Sequence, residues 1–425
     1  MNSSYYDEVY AMSRTESLAP EQSGISNRGL TLHLIREEGP ISRAEIARRL
    51  HLSRPTASRI VDALEQAGLI TRTGKSQPTG GRLGELYRFR NDAGYVLGME
   101  LGTREARVAI ATLNGEIVSR MSRRLMLETR QSVLPQLSAL VTEAVSHFAE
   151  ISSSPTTILA MGVAVPGVVH LTPVAGYVDA ANIFTGLNDR PLRSELEHLF
   201  GVAVAMENDV NLAAIGECQF GRAQGHRNVV YLFVGRGIGA GIVSEGRLVK
   251  GSSQAAGEVG NMVIDRAHLY QGYGTRGCLE SLASIDQLIS VTGASGTSYE
   301  SIEACCEQAF AGESQACDAV RSINEYLAIA IINLVAVIDP EMVVLGGDLA
   351  ELPHVETLFM QPIDQLIRQH IGDTPKLCLS QLQGDAALYG AVQAAIDVVL
   401  DAAGRSDFNT ENMLSLATGE SYVTG

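Results

Sequence analysis

No stretch of the sequence reads as a convincing membrane span. The longest apolar run, near Tyr326–Ile338, stops at Asp339-Pro340. The opening residues MNSSYYDEVYAMSR have neither a basic n-region nor an apolar h-region, so no secretory signal is expected. Cysteine is sparse and irregularly spaced (Cys218, Cys278, Cys305, Cys306, Cys317, Cys378), which offers no disulfide framework and makes a reducing cytoplasm the expected compartment. No short-period repeat of the solenoid kind is visible. Basic residues are too few for a chain that binds polyanions along its whole length: 32 Lys and Arg stand against 48 Asp and Glu, a net charge of −16. At 45% hydrophobic residues the chain is too apolar to be disordered, and 425 residues allow two or three domains with ample core.

The charge is unevenly spread. Residues 25–90 carry 12 Arg and Lys against 6 Asp and Glu, a net of +6, whereas residues 91–425 carry 19 against 38, a net of −19. A basic head on an acidic body points to an anionic polymer as the partner of the head alone. Residues 1–24, polar and without period, read as a tail.

Residues 25–90 read as three helices and a hairpin. Leu30, Leu32, Leu34 and Ile35 sit on a first helix ended by Gly39-Pro40. Ser42 with Glu45 forms a capping-box pattern before a short helix, ISRAEIARRL. Ser53 then caps a third helix, whose Ala57, Ile60, Val61 and Leu64 face inward. Two strands follow, separated by the tip TGKSQPTGGR. This order is that of a winged helix-turn-helix. Near the N-terminus of its recognition helix, Ser53, Arg54, Thr56, Ser58 and Arg59 offer hydroxyls for phosphate and forked cations for guanine. At the wing tip, Lys75 and Arg82 suit a narrow minor groove.

Residues 91–425 form a body that twice opens with a β-meander and continues with strand–helix units. YVLGMEL, ARVAIATL and EIVSRMSRRL, turning at Asn114-Gly115, begin the first half. VVYLFVGRGIGAGIVSEGRLV begins the second. The pattern implies a duplicated α/β fold with a cleft between two lobes. Carboxylates and amides are the natural partners of sugar hydroxyls. Asn208-Asp209 lies just past a buried strand, Glu258 follows a Gly in a turn, and Glu280 opens a helix. Each has a plainer reading: Asn208 or Asp209 as a helix cap, Glu280 as a favourable charge at a helix N-terminus, Glu258 as a turn carboxylate.

The strings GVAVPG (162–167), MENDVNLAAIGE (206–217), GRGIGAGIV (235–243), GEVGN (257–261), GCLE (277–280) and IDPEMVVLGGDL (338–349) together resemble the ROK family of sugar kinases and repressors. With a winged head attached, the chain is similar to the repressor branch, which includes N-acetylglucosamine-, glucose- and xylose-responsive members. The resemblance implies a two-lobe, actin-like (duplicated ribonuclease H-like) sugar-kinase-type body. It also implies that Gly167, Asn208, Asp209, Glu258, Asn261 and Glu280 hold a sugar, with Asn182 a weaker candidate. Asp209 matches the catalytic base of the kinases.

The sequence departs from the family pattern in three places. Kinases carry Asp-x-Gly-Gly-Thr-Lys after the first strand. Here the stretch is Glu100, Leu101, Gly102, Thr103, Arg104, Glu105, with a side chain where backbone must approach phosphate and an acid in place of the lysine. The family's structural zinc uses one His and three Cys. Here those positions are Asn261, Gln271, Tyr273 and Cys278, a set too poor for zinc, and His268 with Cys278 would supply only two ligands. The wing string reads Gly81, Arg82, Leu83, Gly84, one cation fewer than in related repressors.

The expectation is therefore a cytoplasmic transcriptional regulator, a repressor, without cofactor, metal or enzymatic activity. Its expected partners are operator DNA, a sugar or sugar-phosphate effector and a second copy of itself in a homodimer or higher homo-oligomer, with a phosphocarrier protein as a further candidate and no membrane. The alternative is an ATP-dependent sugar kinase with a DNA-binding head.

Overall fold

The computed structural model describes residues 26–75, 84–102, 105–125, 133–152, 156–171, 176–179, 191–274, 276–289, 299–372 and 375–404. They fall into two compact units, one of residues 26–93 with 397–404 and one of residues 94–396.

The first unit holds helices α1 (Asn27–Glu38), α2 (Arg43–Arg49) and α3 (Arg54–Gln66) and a sheet of order β1-β3-β2, with β1 Ile41–Ser42, β2 Ile70–Lys75 and β3 Glu85–Phe89. Each helix starts where a serine can cap it: Ser26, Ser42 and Ser53 accept from Gly29, Glu45 and Thr56 N–H respectively. The Ser42 box is only half closed, because Glu45 turns to Arg48 and Arg49 instead of the Ser42 backbone. Leu32, Ile35, Ile46, Ala57, Val61, Leu64, Ile70 and Tyr87 are buried, whereas Ile60, read as inward-facing, is only half-buried. The pairing of Ile41 and Ser42 with Tyr87 and Leu86 adds a third strand to the expected hairpin. In the same unit the Ser26 hydroxyl donates to the Gly404 carbonyl.

The second unit is two copies of one pattern. The first comprises β4 (Tyr95–Leu101), β5 (Glu105–Thr112), β6 (Ile117–Arg124), α4 (Val133–Ile151), β7 (Ile158–Val165), α5 (Leu192–Phe200), β10 (Ala203–Asn208) and α6 (Asp209–Phe220), with the small hairpin β8 (Val168–Leu171) and β9 (Gly176–Asp179) inserted after β7. The second comprises β11 (Val229–Val234), β12 (Ile238–Ser244), β13 (Arg247–Leu248), helices α7 (Cys278–Ala283), α8 (Ile302–Phe310) and α9 (Ser314–Ile338), β14 (Met342–Gly346), α10 (Gln361–His370), β15 (Lys376–Leu379) and α11 (Ala386–Gly404). The sheets run β10-β7-β4-β5-β6 and β13-β12-β11-β14-β15. In each, a three-stranded antiparallel meander is extended by two parallel strands. This is the duplicated α/β fold anticipated from the sequence.

Glycines set how closely helices approach the sheets. Gly98 and Gly162 are register partners on β4 and β7. A Cβ on Gly162 would stand 1.8 Å from the Ala391 carbonyl oxygen of α11, so this helix packs backbone to backbone on the first sheet. By length and composition α9 and α11 could span a membrane. Both instead bury a face within the protein, α9 through Ile323, Leu327 and Ile331 and α11 through Leu388, Val392 and Ile396.

The apolar stretch ILAMGVAVPGVV, read as one strand, is two: β7 ends at Val165 and β8 begins at Val168, because Pro166 lacks an N–H for the ladder and Gly167 takes φ 94°. Helices α5 and α10 and strand β15 are elements that the periodicity reading did not single out.

Candidate functional site

On the head, α3 presents Arg54 and Arg59 exposed, with Thr56 and Ser58 half-buried. Ser53 spends its hydroxyl on the Thr56 N–H (3.2 Å) and lies 2.8 Å from the Thr56 hydroxyl, so it shapes the helix start. Four other arginines of the unit are neutralised. Arg43 pairs with Asp62 (2.6 Å), Arg48 with Glu45 (2.5 Å), Arg49 with Glu45 (2.9 Å) and Glu38, and Arg72 with Glu65 (2.7 Å) and Glu85 (3.3 Å). Arg54 and Arg59 make no ion pair among the described residues. Their charge is therefore available to a ligand, as a groove-reading helix requires. Arg82 lies outside the described residues, as does Asn182.

In the body an open cleft of about 290 Å³ is lined by Val168, Asn208, Val210, Asn211, Gly239, Ala240, Gln254, Ala256, Gly257 and Glu258. The start of β8, the end of β10, the start of α6, β12 and the loop after β13 meet there. Asn208 caps α6. Its Oδ1 accepts from the Asn211 N–H (3.0 Å) and its Nδ2 donates to the Gly167 carbonyl (3.0 Å), fixing the turn at Pro166-Gly167. The capping and cleft-lining roles thus coincide in one residue. Glu207 behind it accepts from Asn211 Nδ2 (3.1 Å) and pairs with Lys250 (2.5 Å).

Asp209 opens α6 and accepts from the Val210 N–H (2.8 Å). Burial pushes its carboxyl up to about 7, with the charge of Glu100 adding to the effect. Burial likewise raises Glu100, against the opposing pull of Arg107. Glu258 is raised by burial and by Glu280. Of the six positions expected to hold a sugar, Asn208 and Glu258 line the cleft, Gly167 is tied to it through Asn208, and Asp209 adjoins it in sequence. Glu280 acts as a brace: it accepts from the Ile238 N–H (3.2 Å) and from Arg276 (3.3 Å). Asn261 is exposed, beside Gly277. The cleft also contains Gln254, Asn211 and Val168, which the sequence reading missed. Only Asn211, three residues past Asn208 on the same helix end, carried a readable signal.

Where a kinase would cradle phosphate, Glu100 and Arg107 face each other across β4 and β5 and form an ion pair. Arg107 also bonds Asp385 (2.9 Å) and the Gly384 carbonyl, and Arg120 reaches Asp385 and Tyr389 (3.1 Å). Thr103 and Arg104 lie outside the described residues. At the zinc-equivalent positions the side chains bond each other: Tyr273 OH donates to Gln271 Oε1 (2.5 Å) and meets His268 Nδ1, while Cys278 is buried. The donor set does not fit zinc, and among the described residues no group of three or more His, Cys, Asp or Glu is arranged to hold a metal ion.

Comparison with known proteins places these features. Residues 26–77 match the MarR family and residues 96–398 the ROK family. The xylose repressor of Bacillus subtilis is 28% identical over 380 residues, spanning 88% of this chain and 96% of that protein. A crystal structure of a ROK family transcriptional regulator, a homologue of the Escherichia coli Mlc protein, superposes with a TM-score of 0.74 at 26% identity, covering 89% of this chain and 98% of that one. The ROK hexokinase of Thermus thermophilus matches with a TM-score of 0.62 at 28% identity, over 72% of this chain and 99% of its own. The relatives that also span the head are regulators, and the kinase aligns with less of the chain. With a MarR-type winged head on a duplicated sugar-kinase-type body, the chain belongs to the ROK family.

Proposed function

We propose that the chain is a DNA-binding transcriptional repressor whose body takes a sugar effector in its cleft and thereby sets the affinity of the head for operator DNA. One observation carries the reading: α3 leaves Arg54 and Arg59 unpaired among the described residues, while four other arginines of the unit, Arg43, Arg48, Arg49 and Arg72, are held by carboxylates. The repressors named above share this arrangement of head and body. Ser53 and Thr56 order the helix start, Ser58 and Arg82 extend the contact surface, and Asn208, Glu258 and their neighbours receive the sugar. A two-fold operator is read by a homodimer or higher homo-oligomer, because one short helix gives little specificity alone.

The switch is a population shift. The effector favours one lobe arrangement over another, and a hundredfold change in DNA affinity needs a coupling of about 2.7 kcal/mol. The protein acts in the cytoplasm, and a phosphocarrier protein is a second candidate input. Fluorescence anisotropy of the full chain on DNA from its own promoter, at fixed salt and with a sugar panel, tests the reading. Specific binding released by one sugar is expected, and absence of specific binding under every condition sinks it.

A sugar kinase is the second reading, favoured by Asp209, whose carboxyl near 7 suits a general base. Against it, phosphate arriving beside β4 would meet Glu100 and Asp385 already occupying Arg107. A coupled ATPase assay with the same panel decides: turnover lost in Asp209→Asn would establish the enzyme.

A further inference from the structure

The hydrogen-bonding capacity of the cleft is mostly spent inside the protein. Asn208 uses both ends of its amide, and Asn211 donates to Glu207. Two lining side chains, Gln254 and Glu258, have no hydrogen-bond partner among the described residues. Gln254 is also held at φ 63°, in the left-handed region that a long side chain rarely adopts. The loop that holds it is pinned at both ends, by Gln254 N–H to the Gly251 carbonyl (3.4 Å) and Ala256 N–H to the Lys250 carbonyl (3.1 Å). Glycine would fit this backbone without strain, so a glutamine there points to a use for the amide.

The charge around the cleft is just as specific. Among the described residues that line it there is no Arg or Lys. Lys250, nearby, is bound to Glu207 at 2.5 Å. The N-terminus of α6, which could attract an anion, is already satisfied by Asn208 and Asp209. Glu258 on the lining disfavours a phosphate dianion, which meets no cation among the described lining residues.

We infer that Gln254 is a specificity-determining residue of the effector cleft, acting with Glu258 on neighbouring hydroxyls, and that the ligand selected is a neutral aldose and not a sugar phosphate. Gln254 donates through Nε2 and accepts through Oε1, and Glu258 accepts, so the pair matches vicinal hydroxyls that each give and take a hydrogen bond. The inference rests on the effector reading above.

The chain has no tryptophan, so isothermal titration calorimetry of the full-length protein is the direct test. The probes are D-xylose, D-glucose and N-acetyl-D-glucosamine, with the 6-phosphates of the last two. Binding of at least one neutral sugar and none of the phosphates is expected. Gln254→Gly, which fits the left-handed backbone, should weaken that sugar roughly tenfold while melting at no lower temperature than the parent protein. A phosphate bound more tightly than its parent sugar overturns the neutral-ligand assignment. Unchanged sugar affinity in Gln254→Gly overturns the role of Gln254. Specific promoter binding with no sugar of either kind bound overturns the effector reading itself, and this inference with it.

Discussion

Head and body differ in what surrounds their carboxylates. In the head, burial lowers His33 below its ordinary value, and Arg48 and Arg49 hold Glu45 down at about 2. In the body, Asp209 is pushed up to about 7 and Glu100 and Glu258 are raised as well. The head therefore keeps its carboxylates charged and paired, leaving selected cations free. The body sets acids close to one another, Glu100 near Asp209 and Glu280 near Glu258. The first arrangement suits a polyanion reached through solvent. The second suits a neutral ligand that replaces water with hydroxyls.

The largest expected effect falls on the body. Gly162→Ala drives a Cβ against the Ala391 carbonyl and should cost roughly 3 kcal/mol of stability, read as a lower midpoint in urea. A midpoint unchanged would mean that α11 is not seated on the first sheet as described.

Next come the free cations. Arg54→Ala and Arg59→Ala should each weaken operator binding by about 1–3 kcal/mol, and the salt dependence separates base from phosphate contacts. Arg48→Ala, which removes an arginine already paired with Glu45, should change binding far less. Equal losses in all three would erase the distinction between free and paired arginines.

The smallest effect, and the one that sets head against body most directly, is the pH dependence of stability. A carboxyl raised in the folded state binds its proton more readily there than when unfolded, so Asp209 makes the body more stable as pH falls from 8 towards 6. A histidine lowered in the folded state has the opposite sign: the stability associated with neutral His33 is present above its ordinary value and lost as pH falls through it. Thermal melts across this range should move the body transition up on acidification, and Asp209→Asn should flatten that slope. Glu45 contributes only in stronger acid, where protonation releases Arg48 and Arg49.

Much of this was legible from residue order because it is local. Ser42 and Ser53 announce their helices, and Gly115 at φ 87° marks the turn between β5 and β6. The repeated meander gave away the duplication. What the sequence concealed depends on distant partners. Ile41 and Ser42 make too short a run to alternate, and they become a strand only against Tyr87 and Leu86. Glu217, fully buried on α6, finds its partners 163 residues away in Ser380 (2.5 Å) and beyond it in the Leu382 N–H (2.9 Å). In the candidate site, Asn208 and Glu258 were readable because a strand end and a Gly-led turn precede them. Gln254 was not, because glutamine does not advertise a left-handed backbone.

The hydroxyl of Ser26 on the carbonyl of Gly404 has a temporal meaning. The first unit includes Asp397–Gly404, with Val399 and Ala403 fully buried, so it is assembled from the two ends of a long stretch of chain. During synthesis the body is translated in full before those residues emerge, although domains ordinarily fold in the order they leave the ribosome. A nascent or prematurely terminated chain carries Arg54 and Arg59 on an unfinished scaffold. The unit that carries α3 is thus completed only after the whole body has been translated.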